Sequence, residues 1–194
     1  MVAIIVDYFL THRPLLGLIA FFPILPIVTF KKSRLFFTNH KRHLLTLFIV
    51  CGGIFSVFSG QDMNWDLLNY HFYNPYAFIN GRLDIDIAPA QLQTYINPLL
   101  DVPEYFSLRY LPPIITGFIF GGIQGINIFI IFLIAYEIFH KYSDKRRFYY
   151  SLAVSAIGFL GAANIGEIGA TNNDNIVSIF ILCSIYYSII FARR

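Results

Sequence analysis

Long apolar runs recur along this chain, and they constrain its fold more than any other feature. A transmembrane helix needs roughly 20 mostly apolar residues. Segments of suitable length lie at about 14–30, 44–60, 112–140, 148–169 and 175–192. Charged residues make up only 13% of the 194 positions, roughly half of what a soluble domain carries. The sequence therefore predicts an all-α membrane protein with about five transmembrane helices.

The predicted spans differ in quality, and the first is interrupted. Pro14, Pro23 and Pro26 fall within 14–30 and predict a kinked span or a re-entrant piece. No repeat or linker divides the chain, so residues 1–194 are interpreted as a single polytopic membrane domain. Because the chain ends directly after a predicted span, it is also expected to be the N-terminal portion of a larger helical bundle or complex.

Basic residues mark one side of the predicted membrane. They cluster at 31–43, at 140–147 and at the terminal arginines, whereas Arg82 and Arg109 are the only Lys or Arg residues in 61–111. The positive-inside rule then predicts that the loop 61–111 lies on the non-cytoplasmic side of a cell or inner membrane. This placement predicts membrane lipids as partners and argues against nucleic acid.

Three glycines recur at four-residue spacing in the predicted span 112–140: Gly117, Gly121 and Gly125. Small residues at this spacing let membrane helices approach closely. Helix packing is the favoured interpretation, and the wall of a substrate channel is the alternative.

The loop 61–111 concentrates the polar residues of the chain. About 50 residues is long for a connection, and long ordered loops are usually functional. Helical spacing predicts one polar face, formed by Asp62, Asp66, Asn69, Tyr70 and Tyr73. Trp65, Leu68 and Phe72 fall on other faces and would rest on the bilayer or on other helices. An amphipathic interfacial helix is therefore expected here.

Two aspartates on this predicted helix are the candidate catalytic residues. Asp66 has apolar neighbours on both sides, and partial desolvation would raise its pKa and suit it to general-base work. Asp62, one turn earlier, could share a divalent cation or orient an acceptor. Two carboxylates one turn apart are also common on solvated helix faces, so a plain surface role stays open.

The rest of the loop offers weaker candidates. His71 could contact a phosphate or act as an acid, or it could be an ordinary interfacial histidine. After a turn predicted at Asn80–Gly81, Arg82 could bind an anionic phosphate or pair with Asp84 or Asp86. A second amphipathic segment is predicted over 99–110, in which Asp101 and Glu104 are interpreted as solvated or capping residues.

A second polar patch, GEIGATNNDN, is predicted on the same side of the membrane as the long loop. Glu167 ends one predicted span, and Thr171-x-x-Asp174 fits a capping box that begins the next helix. The capping interpretation accounts for Asp174. Alternatively, Glu167 or Asp174 could converge with Asp66 on one cation or one substrate.

The stretch WDLLNYHFYNPYAFINGR, placed after a span in a multispan chain, resembles the integral-membrane C superfamily of glycosyltransferases. The resemblance covers about residues 44–192 and implies a polyprenyl-phosphate sugar as donor. It also implies an aspartate of the first outward loop as base or metal ligand, matched by Asp66 or Asp62. Asp174 or Glu167 is a looser match to a second acidic position, and Arg82 to a donor-phosphate contact.

The leading hypothesis is accordingly a membrane glycosyltransferase, or a fragment of one. It would move a sugar from a polyprenyl-phosphate donor to an outward-facing acceptor, with Mg²⁺ or Mn²⁺ as the expected cation. Tyr70 and His71 complete the candidate substrate-binding residues. A transporter or channel subunit is one alternative, and it would place ionisable residues in mid-membrane. A non-catalytic scaffold is the other, and its loop acids would point to open solvent.

Overall fold

The computed structural model describes residues 41–161 and 166–193 of the chain. The α-helices with described bounds are α1 (Lys41–Ser59), α2 (Phe72–Ile79), α3 (Asp101–Tyr110), α4 (Pro113–Ile138), α5 (Asp144–Leu160) and α6 (Asp174–Ala192). A π-helical turn, Leu67–His71, leads into α2, and the 3-10 turns Gln91–Tyr95 and Pro98–Leu100 precede α3. The all-helical prediction is confirmed for these elements.

Three of the described helices, α1, α4 and α6, are long and apolar enough to cross a membrane. They coincide with the spans predicted at 44–60, 112–140 and 175–192. Each run supplies about 19 or more residues of helix, which is close to the length that the hydrocarbon core requires. The structure thus supports the assignment to the membrane proteins.

The other two predicted spans are not established. The segment 14–30 lies outside the described residues. The prediction at 148–169 falls on α5, which has 17 residues, begins with the charged residues 144–147 and ends at Leu160. This helix is not among those long and apolar enough to cross a membrane in the described ranges. The total of five spans therefore stays a prediction.

Helix α4 is the centre of the bundle, because α1, α5 and α6 all pack against it. Its contact with α1 is made through glycines. A Cβ at Gly121 would lie 2.3 Å from Ser56 Cβ and 2.7 Å from the Gly52 carbonyl oxygen, and one at Gly125 would lie 2.6 Å from the Phe48 carbonyl oxygen. The backbones approach too closely for any side chain, so helix packing explains the glycine spacing.

The interior beyond this contact is filled by aromatic side chains. Phe55 of α1 meets Phe159 of α5 edge-on, with ring centroids 5.3 Å apart. Phe132 of α4 meets Phe148 of α5 in the same way at 5.6 Å. Such tilted ring pairs add to the free energy gained from burial. The core therefore joins α5 to α1 and α4 although α5 is the least apolar of these helices.

Charge separates the two ends of the bundle. Glu137 near the C-terminus of α4 forms ion pairs with Arg147 and Arg193, and Lys41 lies over the Tyr136 ring. We call this the basic end. The opposite end, where α1 ends and α4 and α6 begin, is covered by residues 61–111, and we call it the loop end.

The outer surface of α6 is largely apolar and open. Phe180, Tyr187 and Phe191 are each exposed, and Asn175 is its only residue counted as buried. An apolar helix with so little protein contact is expected to face lipid or further helices. The prediction of further helices from a larger chain or complex is compatible with this surface and remains a prediction.

Candidate functional site

A cavity of about 240 Å³ lies at the loop end, between α1, α3, the start of α4 and the segment 169–171. We call it the loop-end cavity. Its polar lining consists of Ser56, Gln61, Asp62, Glu104, Thr116 and Thr171. Two carboxyl groups from distant parts of the chain therefore share one small enclosed space.

Asp62 accepts hydrogen bonds from donors on two segments. Its Oδ1 accepts the Asn64 backbone N–H at 3.0 Å, and its Oδ2 accepts the Asn64 side-chain amide at 2.8 Å. The Thr171 backbone N–H (2.8 Å) and hydroxyl (2.9 Å) also donate to Oδ2. Asp62 thereby ties the loop to the segment before α6.

The local backbone explains why Asp62 does not lie on the predicted polar helix face. By accepting the Asn64 N–H it forms a turn that competes with helix formation. Asn64 then caps the helical segment, because its Oδ1 accepts the Leu67 N–H at 2.6 Å. The helix begins only at Trp65, and the π-helical turn that follows alters the residue spacing. The single face through Asp62, Asp66 and Tyr73 was therefore wrong.

The predicted apolar side chains of this segment are exposed, and their contact with a bilayer stays a prediction. Trp65, Leu68 and Phe72 are exposed by 59%, 66% and 42%, respectively. Large apolar side chains with so little protein contact are suited to the membrane surface.

Glu104 is the second carboxyl group of the cavity. It is only 4% exposed, and no residue in the described ranges hydrogen-bonds to its carboxyl group. Burial, followed by the negative charges of Asp101 and Asp62, raises its pKa to about 8. Glu104 is therefore mostly protonated at neutral pH, and it can exchange a proton with a bound molecule.

The interpretation of Asp101 and Glu104 as solvated or capping residues was wrong, since both are buried. Asp101 accepts a hydrogen bond from the Asn173 amide at 2.7 Å and pairs with His71 Nδ1 at 2.8 Å. His71 is buried as well, so this cluster joins the π-helical turn, α3 and the residue before α6 beneath the surface. The signal available in the sequence was spacing: Asp101, Glu104 and Leu108 lie on one face of α3.

Gly169 brings the segment before α6 against α1. Its φ of +83° suits glycine, and a Cβ there would lie 1.9 Å from Ser56 Oγ. Gln124 of α4 holds the same segment from the other side, since it accepts the Gly169 N–H and donates to the Ala170 carbonyl at 3.1 Å. These contacts place Thr171 where it can reach Asp62.

Asp66 is half-buried beside this site and does not line the loop-end cavity. It lies close to Tyr70, whose pKa is raised by burial and then by the charge of Asp66. Asp101 and Asp174 contribute to that shift as well. Asp66 is therefore one of three aspartates whose negative charges raise the pKa of Tyr70.

Arg82 is occupied by an internal ion pair. Its Nε and one terminal nitrogen donate to the two carboxylate oxygens of Asp86, at 2.9 and 2.6 Å. The Tyr73 hydroxyl also donates to Asp86. Of the two alternatives from the sequence, the structure thus favours the pair that fixes the loop. The turn predicted at Asn80–Gly81 is confirmed, with Gly81 at a φ of +63°.

The remaining acidic candidates lie outside the cavity lining. Glu167 accepts a hydrogen bond from the Asn172 side chain, and Asp174 is an exposed residue in the first turn of α6. The predicted capping box is wrong, because Thr171 donates to Asp62 and α6 has no side-chain cap. None of Asp66, Glu167 and Asp174 lines the loop-end cavity, and the contact between the two polar segments is made by Asp62 and Thr171 instead.

The cavity offers few oxygen ligands for a divalent cation. Across the described ranges, no group of three or more His, Cys, Asp and Glu side chains is arranged to hold a metal ion. Asp62 Oδ2 already accepts three hydrogen bonds, so the cavity offers few free oxygens of the kind that Mg²⁺ and Mn²⁺ prefer. The divalent cation expected from the sequence stays a prediction.

Comparison of the chain with protein-family models, with curated proteins and with solved structures gives no match.

Proposed function

We propose that this protein is a membrane glycosyltransferase, or part of one, that transfers a sugar from a polyprenyl-phosphate donor to an acceptor hydroxyl on the loop side of the membrane. The observation that supports the proposal is the meeting of Asp62 with Glu104, whose pKa is raised to about 8, in one cavity at the end of the apolar helices. A carboxyl group with a pKa near neutrality, beside a second carboxyl group that can orient a substrate, is suited to proton transfer.

The proposed roles follow from the surroundings of each group. Asp62 Oδ1 accepts one hydrogen bond and can accept another, so it orients the acceptor hydroxyl. Glu104, once ionised, takes the hydroxyl proton. The acceptor oxygen then bonds to the anomeric carbon, the bond from that carbon to the phosphate oxygen breaks, and the polyprenyl phosphate leaves with the electron pair. A pKa near neutrality suits a group that must alternate between both protonation states.

The rival functions are less well supported. In α1, α4 and α6, Asp, Glu, Lys and Arg occur only near the helix ends, whereas a transporter would be expected to carry them in mid-membrane. A scaffold would direct its loop acids into open solvent, whereas Asp101 and Glu104 are buried. The clustering of basic residues at the opposite end supports a non-cytoplasmic loop end under the positive-inside rule.

The test is a transfer assay on membranes that contain the protein, with a labelled polyprenyl-phosphate sugar and release of polyprenyl phosphate as the readout. Glu104→Gln is expected to lower the rate by about 10²–10⁴-fold, the usual contribution of a general base. Asp84→Asn, the same replacement of a carboxyl group by an amide at an exposed position, is the control and is expected to leave the rate unchanged. Equal rates for the wild type and Glu104→Gln would remove Glu104 from the mechanism.

Asp66→Asn decides between the cavity and its surroundings. If the base is Glu104, this variant retains most of the transfer rate, because Asp66 does not line the cavity. If the base is Asp66, as the sequence suggests, Asp66→Asn lowers the transfer rate by about 10²–10⁴-fold, the loss otherwise expected for Glu104→Gln. Measuring both variants in the same membranes separates the two assignments.

A further inference from the structure

The loop-end cavity is unsuited to a phosphate group. Its two ionisable lining residues are both acidic, and none of its lining residues in the described ranges is Lys, Arg or His. A phosphate placed there would lose hydration and would be repelled by the Asp62 carboxylate. The cavity therefore suits the uncharged part of a substrate, and a charged phosphate must be bound outside it.

The loop end offers few cations for that purpose. Between residues 61 and 111 the basic side chains are His71, Arg82 and Arg109. His71 is buried against Asp101, and Arg82 is paired through two hydrogen bonds with Asp86. Arg109 makes no ion pair with any acid in the described ranges.

Arg109 lies in an aromatic and apolar setting at the C-terminus of α3. One of its terminal nitrogens donates to the Tyr105 hydroxyl at 2.7 Å, and its guanidinium carbon lies 5.7 Å from the Tyr110 ring centroid. Nearby, Phe106 and Tyr110 are exposed by 43% and 68%. Exposed aromatic side chains beside an arginine are typical of the headgroup level of a membrane.

The loop-end cavity and this arginine adjoin the same part of the fold, the end of α3 and the start of α4. Leu108, the residue before Arg109, lines the cavity, as do Pro113 and Ile114 at the start of α4. Ile114 is also 68% exposed, so the cavity wall and the apolar outer surface meet there. Thr116 fixes the junction by donating to the Ser107 carbonyl at 3.1 Å. A lipid-borne group could therefore reach the cavity from the membrane surface past the end of α3.

We propose that Arg109 binds the phosphate of a polyprenyl-phosphate substrate at the headgroup level, while the sugar enters the loop-end cavity. This inference rests on the proposed function and assigns the phosphate contact to Arg109 in place of Arg82. The planar guanidinium can offer two parallel N–H donors to phosphate oxygens. The polyprenyl chain then follows the exposed apolar surface of Phe106, Tyr110 and Ile114.

The direct test is binding of a polyprenyl monophosphate by the protein in phosphatidylcholine nanodiscs. Arg109→Gln is expected to weaken binding by about tenfold or more, as loss of a charge-assisted pair does. Arg109→Lys is expected to retain part of the affinity, and Arg82→Gln all of it. Tyr105→Phe removes only the hydroxyl that accepts a hydrogen bond from Arg109, and it is expected to bind with the affinity of the wild type. This control separates the phosphate contact of Arg109 from its contact with Tyr105. Equal affinity of Arg109→Gln and the wild type would overturn the proposal.

Competition identifies the source of the phosphate. Inorganic phosphate and phosphatidylglycerol are each expected to displace the polyprenyl monophosphate poorly, since neither has the long chain. Displacement by phosphatidylglycerol at equal concentration would make Arg109 a general contact for anionic lipids and would overturn the assignment.

The outcome is separable from that of the proposed reaction. Glu104→Gln should still bind the polyprenyl monophosphate although it does not transfer sugar. Transfer that depends on Glu104 but not on Arg109 would overturn the phosphate assignment alone. Binding that depends on Arg109, without transfer by the wild type from any polyprenyl-phosphate sugar tested, would uphold the phosphate contact and overturn the reaction.

Discussion

Glu104 should make the stability of this protein depend on pH. The carboxyl group has a pKa of about 8 in the folded protein, against 4.5 for an exposed glutamate. At about 1.36 kcal/mol per pKa unit, the difference corresponds to at most about 5 kcal/mol. The folded protein holds this proton more tightly than the unfolded chain. The stabilisation is therefore fully present below pH 4.5 and is lost as the pH rises through about 8.

Replacing Glu104 by Gln removes this titration and keeps the volume of the side chain. The wild type should lose up to about 1.4 kcal/mol of unfolding free energy per pH unit between pH 5 and 8, and Glu104→Gln should lose much less. Thermal unfolding in a non-ionic detergent, followed by circular dichroism at several pH values, measures the difference. About 1 kcal/mol corresponds to roughly 2–4 °C in Tm for a chain of this size.

The control for this experiment is Asp84→Asn, which likewise replaces a carboxyl group by an amide, but at an exposed loop position. Its pH profile should run parallel to that of the wild type. Parallel profiles for the wild type and Glu104→Gln would refute the reasoning, because they would mean that Glu104 is hydrated or paired in the folded protein.

Two further predictions concern the contacts that build the cavity. Thr171→Val removes the hydroxyl that donates to Asp62 and should lower the unfolding free energy by about 1.5–3 kcal/mol. Thr171→Ser keeps the hydroxyl and should retain most of this stability. An unchanged Tm for the valine variant would contradict the role of this hydrogen bond. Gly121→Ala places a Cβ against Ser56 and should destabilise the protein by about 1–3 kcal/mol in detergent unfolding. Gly158→Ala, whose Cβ meets only the flexible end of a side chain, should be nearly neutral, and equal losses for the two alanine variants would contradict the packing argument.

Much of the helical framework could be predicted because it depends on local properties. The runs at 44–60, 112–140 and 175–192 correspond to helices whose bounds differ from the prediction by at most three residues. The free energy of transfer into a bilayer is close to a sum over single residues, so a window of sequence contains it. The turn at Asn80–Gly81 was likewise predictable, since its glycine adopts the positive φ that such turns require.

The residues that form the site were harder to predict from the sequence. Asp62 and Glu104 both lie in the loop that the sequence marks as functional, yet spacing alone assigned Asp62 to a helix face and Glu104 to solvent. The hydrogen bond that Asp62 accepts from the Asn64 backbone N–H moved the start of the helix, and one π-helical turn changed the faces that follow. Local hydrogen bonds and irregular turns of this kind decide which side chains share a face, and the periodicity of the residues does not predict them.

The sequence by itself determined that this chain carries membrane helices, and it indicated which loop concentrates the polar groups. Only the tertiary structure decided which of those groups meet. Thr171 donates to Asp62 across 109 residues of sequence, and Glu104 is buried where α3 packs against α2 and α4. The physical reason is range: hydrophobic transfer acts residue by residue, whereas the charge state of a carboxyl group depends on whatever distant segment covers it or donates to it.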